Sequence, residues 1–541
     1  MTNKKDHTEK NSKKVSRRDL VKIGAATGIG LTLNPTRSMA FFHKTPRKLP
    51  TEERQLVIIG SGFGGAISAQ RLTQAGVEVT LLEKGARWDF ETDKQRFSSN
   101  LYPDGRSTWL NRTTVIPVGP ALPIRRNTGV LEGRDMAGFR ILSGAAYGGG
   151  SIVYGGVLKK PEKHLFEKVF PAEVSFDSLQ PHYDEVGRRL QRSTLPQDLA
   201  GEDFYQHVRV MKKHCEKSGI ETEDMHTATD WDIVRDEAAG RIPPSIIHGE
   251  AVYGVNSGAK ATLDNTYLKE AEESGLLEVK ALHQVSDLRQ LADGRYSISF
   301  EQLDDRGNVI AEGEIITAKL ILSAGSMGTS SLLVRAKAKG MLPRLNDEVG
   351  RGWGNNGNAY ALRLGLEATG RWHGGPPAVG IKDYDNPMGP LFIEHPQLPI
   401  GIEFFGLLYF AIGITPTRGH FYYDQQQDEV KLSWPKSDPG QAKVNQAFLN
   451  TMEQLNRDNG GFVSAVIDNF RDSIKDDAVY HPLGGCVMGK ACDFYGRVKN
   501  YPGLYVNDGS LMPGSSACTN PAFTISALAV RNIEHVIAND F

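Results

Sequence analysis

The stretch from Tyr480 to Val498, YHPLGGCVMGKACDFYGRV, holds several residue types that can take part in chemistry. His481 offers an imidazole, and Cys486 and Cys492 offer thiols. On its own, His481 could equally be a core histidine with satisfied hydrogen bonds. The four cysteines of the chain match no zinc-binding spacing, so we predict no metal site. We expect free thiols, with a Cys486–Cys492 disulfide as the alternative.

A nucleotide-binding pattern lies near the N-terminal end. A strand from Leu56 to Ile59 is followed by GSGFGG, a helix to about Ala75 and a second strand from Val77 to Glu83. A glycine turn between a strand and a helix is typical of dinucleotide binding, because the helix N-terminus attracts a pyrophosphate.

Each residue of this pattern has a physical role. Gly60 permits the tight turn, Gly62 lets backbone amides reach the pyrophosphate, and Gly65 lets helix and strand pack closely. Glu83 can accept the hydroxyls of an adenosine ribose, which argues against a 2′-phosphate. The pattern alone does not separate NAD from FAD.

Three remote segments are predicted to surround the same cofactor. The stretch LSGAAYGGGSIVYGG places Gly149, Gly150 and Ser151 in a loop with unhindered amides. A strand ending at Ala324-Gly325-Ser326 precedes a helix that we expect to begin near Thr329.

The third segment is a strand to Asn507, an Asp508-Gly509 turn and a helix from Asn520-Pro521 to about Ile537. Proline is favoured just inside a helix start, and Asn520 could be a helix cap. The positive end of this helix could stabilise negative charge on a reduced flavin.

The bulk composition predicts a large folded protein. A chain of 541 residues with 39% hydrophobic content should form two or more lobes or one large enzyme. The formal net charge of -1 gives no electrostatic case for nucleic acid binding. The longest apolar run, IEFFGLLYFAIGI from Ile402, is too short to span a membrane.

The first forty residues differ from the rest of the chain. They hold nine Lys and Arg against three Asp and Glu, and SRRDLVK precedes a mildly apolar stretch that ends in RSMA. This order resembles a twin-arginine export signal over residues 1–40, so we expect a periplasmic or secreted protein. A disordered basic tail is the alternative.

Taken together, the motifs resemble a known family. GSGFGG…LLEKG, YGGGSIVYGG, AGSMGTSSLL, GRGWGNNGN, the His481 stretch and LYVNDGSLMPGSSACTNPAFTISAL follow the order of the glucose-methanol-choline (GMC) oxidoreductases. They look most like the bacterial cholesterol oxidases that hold FAD non-covalently. The resemblance runs from about Gln55 to the C-terminus.

The resemblance implies an α/β fold (α+β overall) with a Rossmann-like FAD-binding domain and a sheet-based substrate-binding domain. The FAD-binding domain is expected at 52–88, 255–350 and 496–541, and the substrate-binding domain at 89–254 and 351–495. The loop at 91–110 would cover the substrate entrance. Val285 and Pro521 complete the expected FAD-binding residues, together with Asn520.

By position, the family's catalytic residues fall on His481, Asn520 and Glu394. A neutral imidazole can orient an alcohol and take part in proton transfer, and a carboxylate in an apolar pocket can isomerise a steroid product. Pairing of Glu394 with an arginine is the alternative. The implied activity is oxidation of a 3β-hydroxysteroid with O2, giving H2O2 and a 3-oxo-4-ene steroid, with transient membrane-surface contact to extract the substrate.

The sequence also departs from those oxidases. Tyr154, Val157 and Ala522 stand where they carry Asn, Met and an aromatic residue. Two alternatives therefore stay open: a dehydrogenase of another lipid or alcohol that uses a quinone or cytochrome, and a non-catalytic, flavin-containing sterol binder.

Overall fold

The computed structural model describes residues 45–90, 95–116, 121–464 and 477–541. The predicted export signal at 1–40 and the first residues of the loop at 91–110 lie outside the described residues. The residues from 46 to 541 form a single compact unit. None of the helices in the described ranges is long and apolar enough to cross a membrane.

The strands of the described residues are β1 Arg47–Lys48, β2 Glu52–Ile59, β3 Val79–Leu82, β4 Leu131–Met136, β5 Phe139–Gly144, β6 Arg192–Ser193, β7 Thr222–Asp224, β8 Thr227–Ala228, β9 Leu277–Lys280, β10 His283–Gln290, β11 Tyr296–Leu303, β12 Val309–Leu322, β13 Arg351–Trp353, β14 Asn358–Leu364, β15 Val379–Asp383, β16 Leu391–Glu394, β17 Gly406–Gly413, β18 Gly419–Asp424, β19 Glu429–Ser433, β20 Phe462–Val463, β21 Ala478–Val479 and β22 Leu504–Val506.

The α-helices of the same residues are α1 Phe63–Gln74, α2 Gly150–Val153, α3 Lys163–Val169, α4 Gln180–Arg189, α5 Gln197–Ala200, α6 Gln206–Lys217, α7 Trp231–Ala238, α8 Tyr267–Glu273, α9 Gly325–Ala338, α10 Pro439–Asn459 and α11 Pro521–Asp540.

A mixed sheet contains the unit in which we predicted nucleotide binding. Its strands run in the order β10-β11-β12-β2-β3-β9, and β1 and β22 also pair with β12. Strands β2, β3, β9 and β12 are mutually parallel, and β2 lies between β3 and β12. Because the chain leaves β2 towards one neighbour and returns to the other side much later, its carboxyl end is a topological switch point where ligands bind.

An antiparallel sheet forms the second half of the fold, in the order β20-β14-β17-β16-β15-β7. One face packs against α6 and α10, and its core includes Ala361, Tyr409, Met211 and Phe448. The other face carries apolar side chains of β14 and β17, so every residue of β17 is buried. The second sheet that the resemblance implies is thus present, while its role in substrate binding and the predicted domain boundaries stay predictions.

Of two local predictions, one changed in detail and one agrees with the structure. Helix α9 begins at Gly325, four residues before the predicted start near Thr329. The amide of Gly325 donates to the Asp508 carboxylate at 2.9 Å, so a distant side chain caps the first turn. All four cysteines are buried and free, which agrees with the prediction of free thiols.

Candidate active site

A single large cavity joins the two sheets. Its volume is about 1250 Å³, and it reaches from Glu83 at the end of β3 to Glu394 at the end of β16. Both the glycine turn after β2 and the His481 stretch line it. The two halves of the predicted site therefore share one enclosed space.

The glycine turn after β2 has the geometry of a phosphate site. Gly60 has a φ of +95°, which favours glycine, and a Cβ at Gly62 would point into open space. Gly62 is the N-cap of α1, which has no side-chain cap and no acidic residue in its first turn. The free amides and the positive end of α1 therefore face the cavity.

Gly65 and Glu83 support this turn. A Cβ at Gly65 would lie 1.9 Å from the Gly60 carbonyl oxygen, so this glycine allows helix and strand to touch, as predicted, and it does not line the cavity. The Glu83 carboxylate accepts hydrogen bonds from the Ser61 amide at 3.0 Å and from the Gly85 amide at 2.8 Å. Glu83 lines the cavity, and its contact with a ribose stays a prediction.

The second glycine loop faces the first. A Cβ at Gly149 would lie 2.6 Å from Gly62 Cα, and Gly149 and Gly150 both line the cavity. The Ser151 hydroxyl donates to the Gly148 carbonyl at 2.7 Å and accepts from the Leu263 amide at 3.0 Å. Ser151 is buried, its side chain fastens the loop and does not line the cavity, and its contact with a cofactor stays a prediction.

The other predicted cofactor residues, Val285, Gly325, Asp508, Asn520 and Pro521, all line the same cavity. The Asp508 carboxylate is occupied by the Gly325 amide and by the Thr329 hydroxyl at 2.6 Å, and burial raises its pKa. A long cavity with glycine-walled backbone at one end and apolar walls at the other fits FAD, whose pyrophosphate and ring system need those two environments.

The three predicted catalytic residues all line the far end of the cavity. Asn520 is the N-cap residue of α11, but its side chain makes no capping bond. Its amide donates instead to Glu394 Oε1 at 3.3 Å. Glu394 is thus paired with Asn520 and not with an arginine among the described residues.

Burial dominates the electrostatics of Glu394. The residue is only 5% exposed, and burial raises the pKa of its carboxyl to about 8, although the Asn520 amide opposes the rise. Glu394 Oε2 and Asn520 Oδ1 have no hydrogen-bond partner within the described residues. Two polar atoms are therefore left for a ligand at the end of an apolar cavity.

Two asparagines fix the protonation of His481. Asn358 Oδ1 accepts from the amides of Tyr480 and His481 at 3.3 and 3.2 Å, so Asn358 Nδ2 must face His481 Nδ1, at 3.2 Å. Asn356 is oriented by Ser516 and also presents its Nδ2 to His481 Nδ1, at 3.4 Å.

An amide nitrogen can only donate, so Nδ1 of His481 is an acceptor and the proton of the neutral ring is on Nε2. Burial lowers the pKa of His481 to about 3, which keeps the ring neutral. The residues that set this tautomer were not singled out from the sequence. Their signal was the run of asparagines in GRGWGNNGN, directly before β14.

Aromatic side chains wall the cavity around these groups. Tyr360 on β14 stacks on Phe410 of β17 with ring centroids 4.6 Å apart, and Phe410 lies 5.3 Å from the His481 ring. Phe410 also faces Glu394 across the β16–β17 pair. The substrate end is therefore apolar and rigid, apart from His481, Asn520 and Glu394.

The mouth of the cavity is apolar on its outer side as well. Asn100, Leu101 and Pro103 of the loop at 91–110 line the cavity, and that this loop covers the substrate entrance stays a prediction. The nearby side chains of Tyr102, Ile402 and Phe405 are exposed. Tyr154, Val157 and Ala522, the three departures noted in the sequence, also line the cavity.

Comparisons with known proteins agree with this architecture. Residues 356–467 match the family model described as "GMC oxidoreductase, C-terminal", residues 418–529 match "GMC oxidoreductase", and residues 58–92 match "NAD(P)-binding Rossmann-like domain". A cholesterol oxidase of Acinetobacter baumannii is 26% identical, over 89% of this chain and 94% of its own length. A cholesterol oxidase of Mycobacterium tuberculosis is 24% identical, over 88% and 90%.

A solved structure shares the fold. The pyridoxine 4-oxidase from Mesorbium loti superposes with a TM-score of 0.59 at 15% identity, covering 89% of this chain and 99% of that one. The predicted α/β fold class with a Rossmann-like domain is confirmed.

Proposed function

Because the chain belongs to the GMC oxidoreductase family and resembles its cholesterol oxidases, we propose that it oxidises the 3β-hydroxyl of a cholesterol-like steroid. In this proposal O2 is the acceptor, H2O2 is formed, and the product is isomerised to the 3-oxo-4-ene steroid. The observation that carries it is the buried Glu394 carboxyl beside Asn520, at the end of an apolar, aromatic-walled cavity.

The enzyme is an oxidoreductase whose cofactor is FAD, as predicted. The turns at Gly60 and Gly149 and the N-termini of α1 and α11 would hold it, with Glu83 at the adenosine end. Bound FAD supplies the acceptor for the hydride of the carbinol carbon. That it is held non-covalently stays part of the proposal.

His481 and Glu394 divide the work on the hydroxyl group. The Nε2–H of His481 donates to the substrate oxygen and orients the alcohol, because Asn356 and Asn358 hold Nδ1 as an acceptor. The unpartnered Oε2 of the ionised Glu394 carboxylate then accepts the proton of the hydroxyl group. The Asn520 amide holds that carboxyl in place from its Oε1 side.

Once Glu394 has passed the hydroxyl proton to solvent, isomerisation needs one group that removes a proton at C4 of the steroid and returns it at C6. A carboxyl with a pKa of about 8 suits both halves, because it is a stronger base than an ordinary carboxylate and is still an acid near neutral pH. The apolar neighbours of Glu394 on β17 keep water away from the intermediate. Glu394 is therefore the group that we assign to this step.

The mouth of the cavity fits a lipid substrate. Tyr102, Ile402 and Phe405 present exposed apolar surface beside the opening, where a sterol leaving a membrane would first make contact. We therefore include transient contact with a lipid surface in the proposal.

Anaerobic bleaching of the flavin tests the proposal. The purified holoenzyme is mixed with cholesterol, with related sterols that lack the 3β-hydroxyl, and with long-chain and aromatic primary alcohols. Bleaching by 3β-hydroxysterols, followed by peroxide release on admission of air, is expected. Bleaching by primary alcohols alone would overturn the steroid assignment, and a yellow protein that no alcohol bleaches would indicate a sterol binder.

The second candidate is a dehydrogenase of another lipid or alcohol that passes electrons to a quinone or cytochrome. It is favoured by Tyr154, Val157 and Ala522, because all three departures line the cavity. Turnover with a quinone or dye but not with O2 would select this function.

Export by the twin-arginine route is a further part of the proposal, supported by SRRDLVK and by Ser38 and Ala40, which have the spacing of a cleavage site. Fractionation of cells that express the full chain, with Arg17-Arg18→Lys-Lys as the comparison, tests it. We expect the unchanged chain outside the cytoplasm and the double variant within it.

A further inference from the structure

Three buried histidines lie together on the side of the antiparallel sheet that faces away from the cavity. His207 is in the first turn of α6, His373 is in the loop between β14 and β15, and His395 directly follows β16. Each is at most 2% exposed. Their nitrogens, one from each ring, all lie within 4.8 Å of one another.

The outer nitrogen of each ring is held by an acceptor. His395 Nδ1 lies 2.7 Å from the Leu408 carbonyl oxygen, and His207 Nε2 lies 3.1 Å from the Gly374 carbonyl oxygen. His373 Nε2 lies 3.0 Å from the Thr369 hydroxyl, which itself donates to a backbone carbonyl. A carbonyl can only accept, so each outer nitrogen should carry its ring's proton.

With the protons on the outer nitrogens, each inner nitrogen carries a lone pair, and two of these lone pairs point at each other. His207 Nδ1 and His395 Nε2 are 2.7 Å apart. If the His207 proton moves to Nδ1 it makes that hydrogen bond, but Nε2 then presents a lone pair to the Gly374 oxygen. Two neutral rings carry only two N–H groups, so no assignment satisfies all three contacts: the one between the rings, the one with the Gly374 oxygen and the one with the Leu408 oxygen.

A third proton would resolve the conflict only by charging a buried imidazole. All three rings are at most 2% exposed, and an isolated charge in so buried a place is costly. His373 Nδ1 is a second unsatisfied nitrogen, because it has no hydrogen-bond partner in the described residues. A bound metal ion would instead accept the lone pairs of the inner nitrogens without adding a proton to any ring.

We propose that His207 Nδ1, His373 Nδ1 and His395 Nε2 bind one divalent transition-metal ion of the zinc class. Imidazole suits such ions, and outer N–H groups held by carbonyl and hydroxyl oxygens are the usual support of metal-binding histidines. Bonds of about 2.0–2.1 Å in a tetrahedral site separate ligand nitrogens by roughly 3.3 Å. To bind the ion, His207 Nδ1 and His395 Nε2, now 2.7 Å apart, must move slightly apart, and His373 Nδ1 must move closer to them.

The ion would act as a structural anchor. It ties the start of α6, the loop after β14 and the end of β16 together, and the residue before His395 is Glu394. Successive side chains near a strand end point to opposite faces, so the metal would hold the sheet from behind while Glu394 faces the cavity. A water molecule can take the fourth position.

Metal analysis of the holoenzyme tests this proposal. The protein is purified with an affinity tag that contains no histidine, and its metal content is measured by mass spectrometry against the flavin content. We expect about one zinc-class ion per chain, in keeping with three ligands at a single site. Dialysis against a chelator should remove it and lower the Tm, and added zinc chloride should restore both.

Cobalt chloride is the spectroscopic probe. Added to the chelated wild-type holoenzyme, it should give tetrahedral d–d bands at longer wavelengths than the flavin absorbs. His373→Gln should lose the ion and the bands. His214→Gln is the matched control, because His214 is buried on the same helix α6 but lies outside the cluster, and it should keep both.

The proposal is overturned if the wild-type protein contains no stoichiometric metal and zinc, cobalt, nickel and copper chlorides neither raise its Tm nor give bands. It is also overturned if His373→Gln retains as much metal as the wild type. The wild-type measurements decide the matter even if His373→Gln does not fold, and no readout depends on turnover of an alcohol.

Discussion

Replacing His481 with glutamine should change stability in a manner that depends on pH. Burial holds the pKa of the folded-state ring at about 3, whereas a histidine in the unfolded chain titrates near 6.5. Below pH 6.5 the unfolded chain therefore binds a proton that the folded chain does not. The wild-type protein loses stability as the pH falls through that window.

The magnitude follows from these two values. At pH 5 the unfolded-state histidine is about 1.5 pH units below its pKa, which corresponds to roughly 2 kcal/mol at about 1.36 kcal/mol per unit. At pH 7.5 the same difference is roughly zero. Any folded-state pKa at or below about 4 gives nearly the same result at pH 5, so the prediction does not depend on the exact shift.

The substitution should also remove activity without removing the cofactor. Glutamine cannot take the place of an Nε2–H that is aimed by Asn356 and Asn358, and loss of such a group typically costs about 10²–10⁴-fold in rate. The flavin absorbance per chain should stay unchanged, because the glycine turns that would hold FAD, at Gly60 and Gly149, belong to other segments of the chain.

The assay is denaturant and thermal unfolding of both holoenzymes at pH 5 and pH 7.5, beside steady-state oxidation. His164→Gln is the matched control, because His164 is exposed on α3. Relative to the wild type, His481→Gln should gain about 2 kcal/mol at pH 5 over its value at pH 7.5. Parallel pH profiles for His481→Gln and wild type would refute a buried, neutral His481.

Three further predictions test other parts of the cavity. Gly149→Val should prevent FAD loading, seen as loss of flavin absorbance in a folded protein, because even a Cβ there would lie 2.6 Å from Gly62 Cα; a yellow variant would contradict the loop's role. Glu394→Gln should slow oxidation, because the hydroxyl proton loses its acceptor, and should slow isomerisation of an added 3-oxo-5-ene steroid by about 10²–10⁴-fold, since glutamine cannot accept a proton; normal isomerisation of that steroid would remove Glu394 from this step. Ile402→Ser with Phe405→Ser should slow oxidation of sterol in vesicles several-fold but not of detergent-dispersed sterol, and equal slowing of both would argue against membrane contact.

The sequence predicted those parts of the fold that local signals determine. The β2–α1–β3 unit was recognised because an apolar strand, a glycine turn and a helix follow one another directly. The start of α9 was misplaced because the group that caps Gly325 is Asp508, more than 180 residues away. A single sequence carries no local sign of such a cap.

The same limit applies to the site. Motif context was enough to single out His481, Asn520 and Glu394, and all three line one cavity. The sequence suggested that Asn520 could cap its helix, but the side chain bonds Glu394 instead, which depends on β16 lying opposite α11. The tautomer of His481 depends on Asn358, whose partner is more than 120 residues later in the chain.

The unpartnered atoms at the far end of the cavity explain why an alcohol suits this site. Asn520 Oδ1 is an acceptor, Glu394 Oε2 is an acceptor in the ionised carboxylate, and both lack a hydrogen bond within the described residues. Leaving such a buried group unsatisfied costs about 1–3 kcal/mol, and an apolar ligand cannot relieve that cost. A hydroxyl group can donate its proton to one of them while its oxygen accepts the Nε2–H of His481. The preference for an alcohol over a hydrocarbon of the same shape therefore follows from these polar atoms. The aromatic side chains of Tyr360 and Phe410 select only the apolar part of the substrate that carries the hydroxyl group.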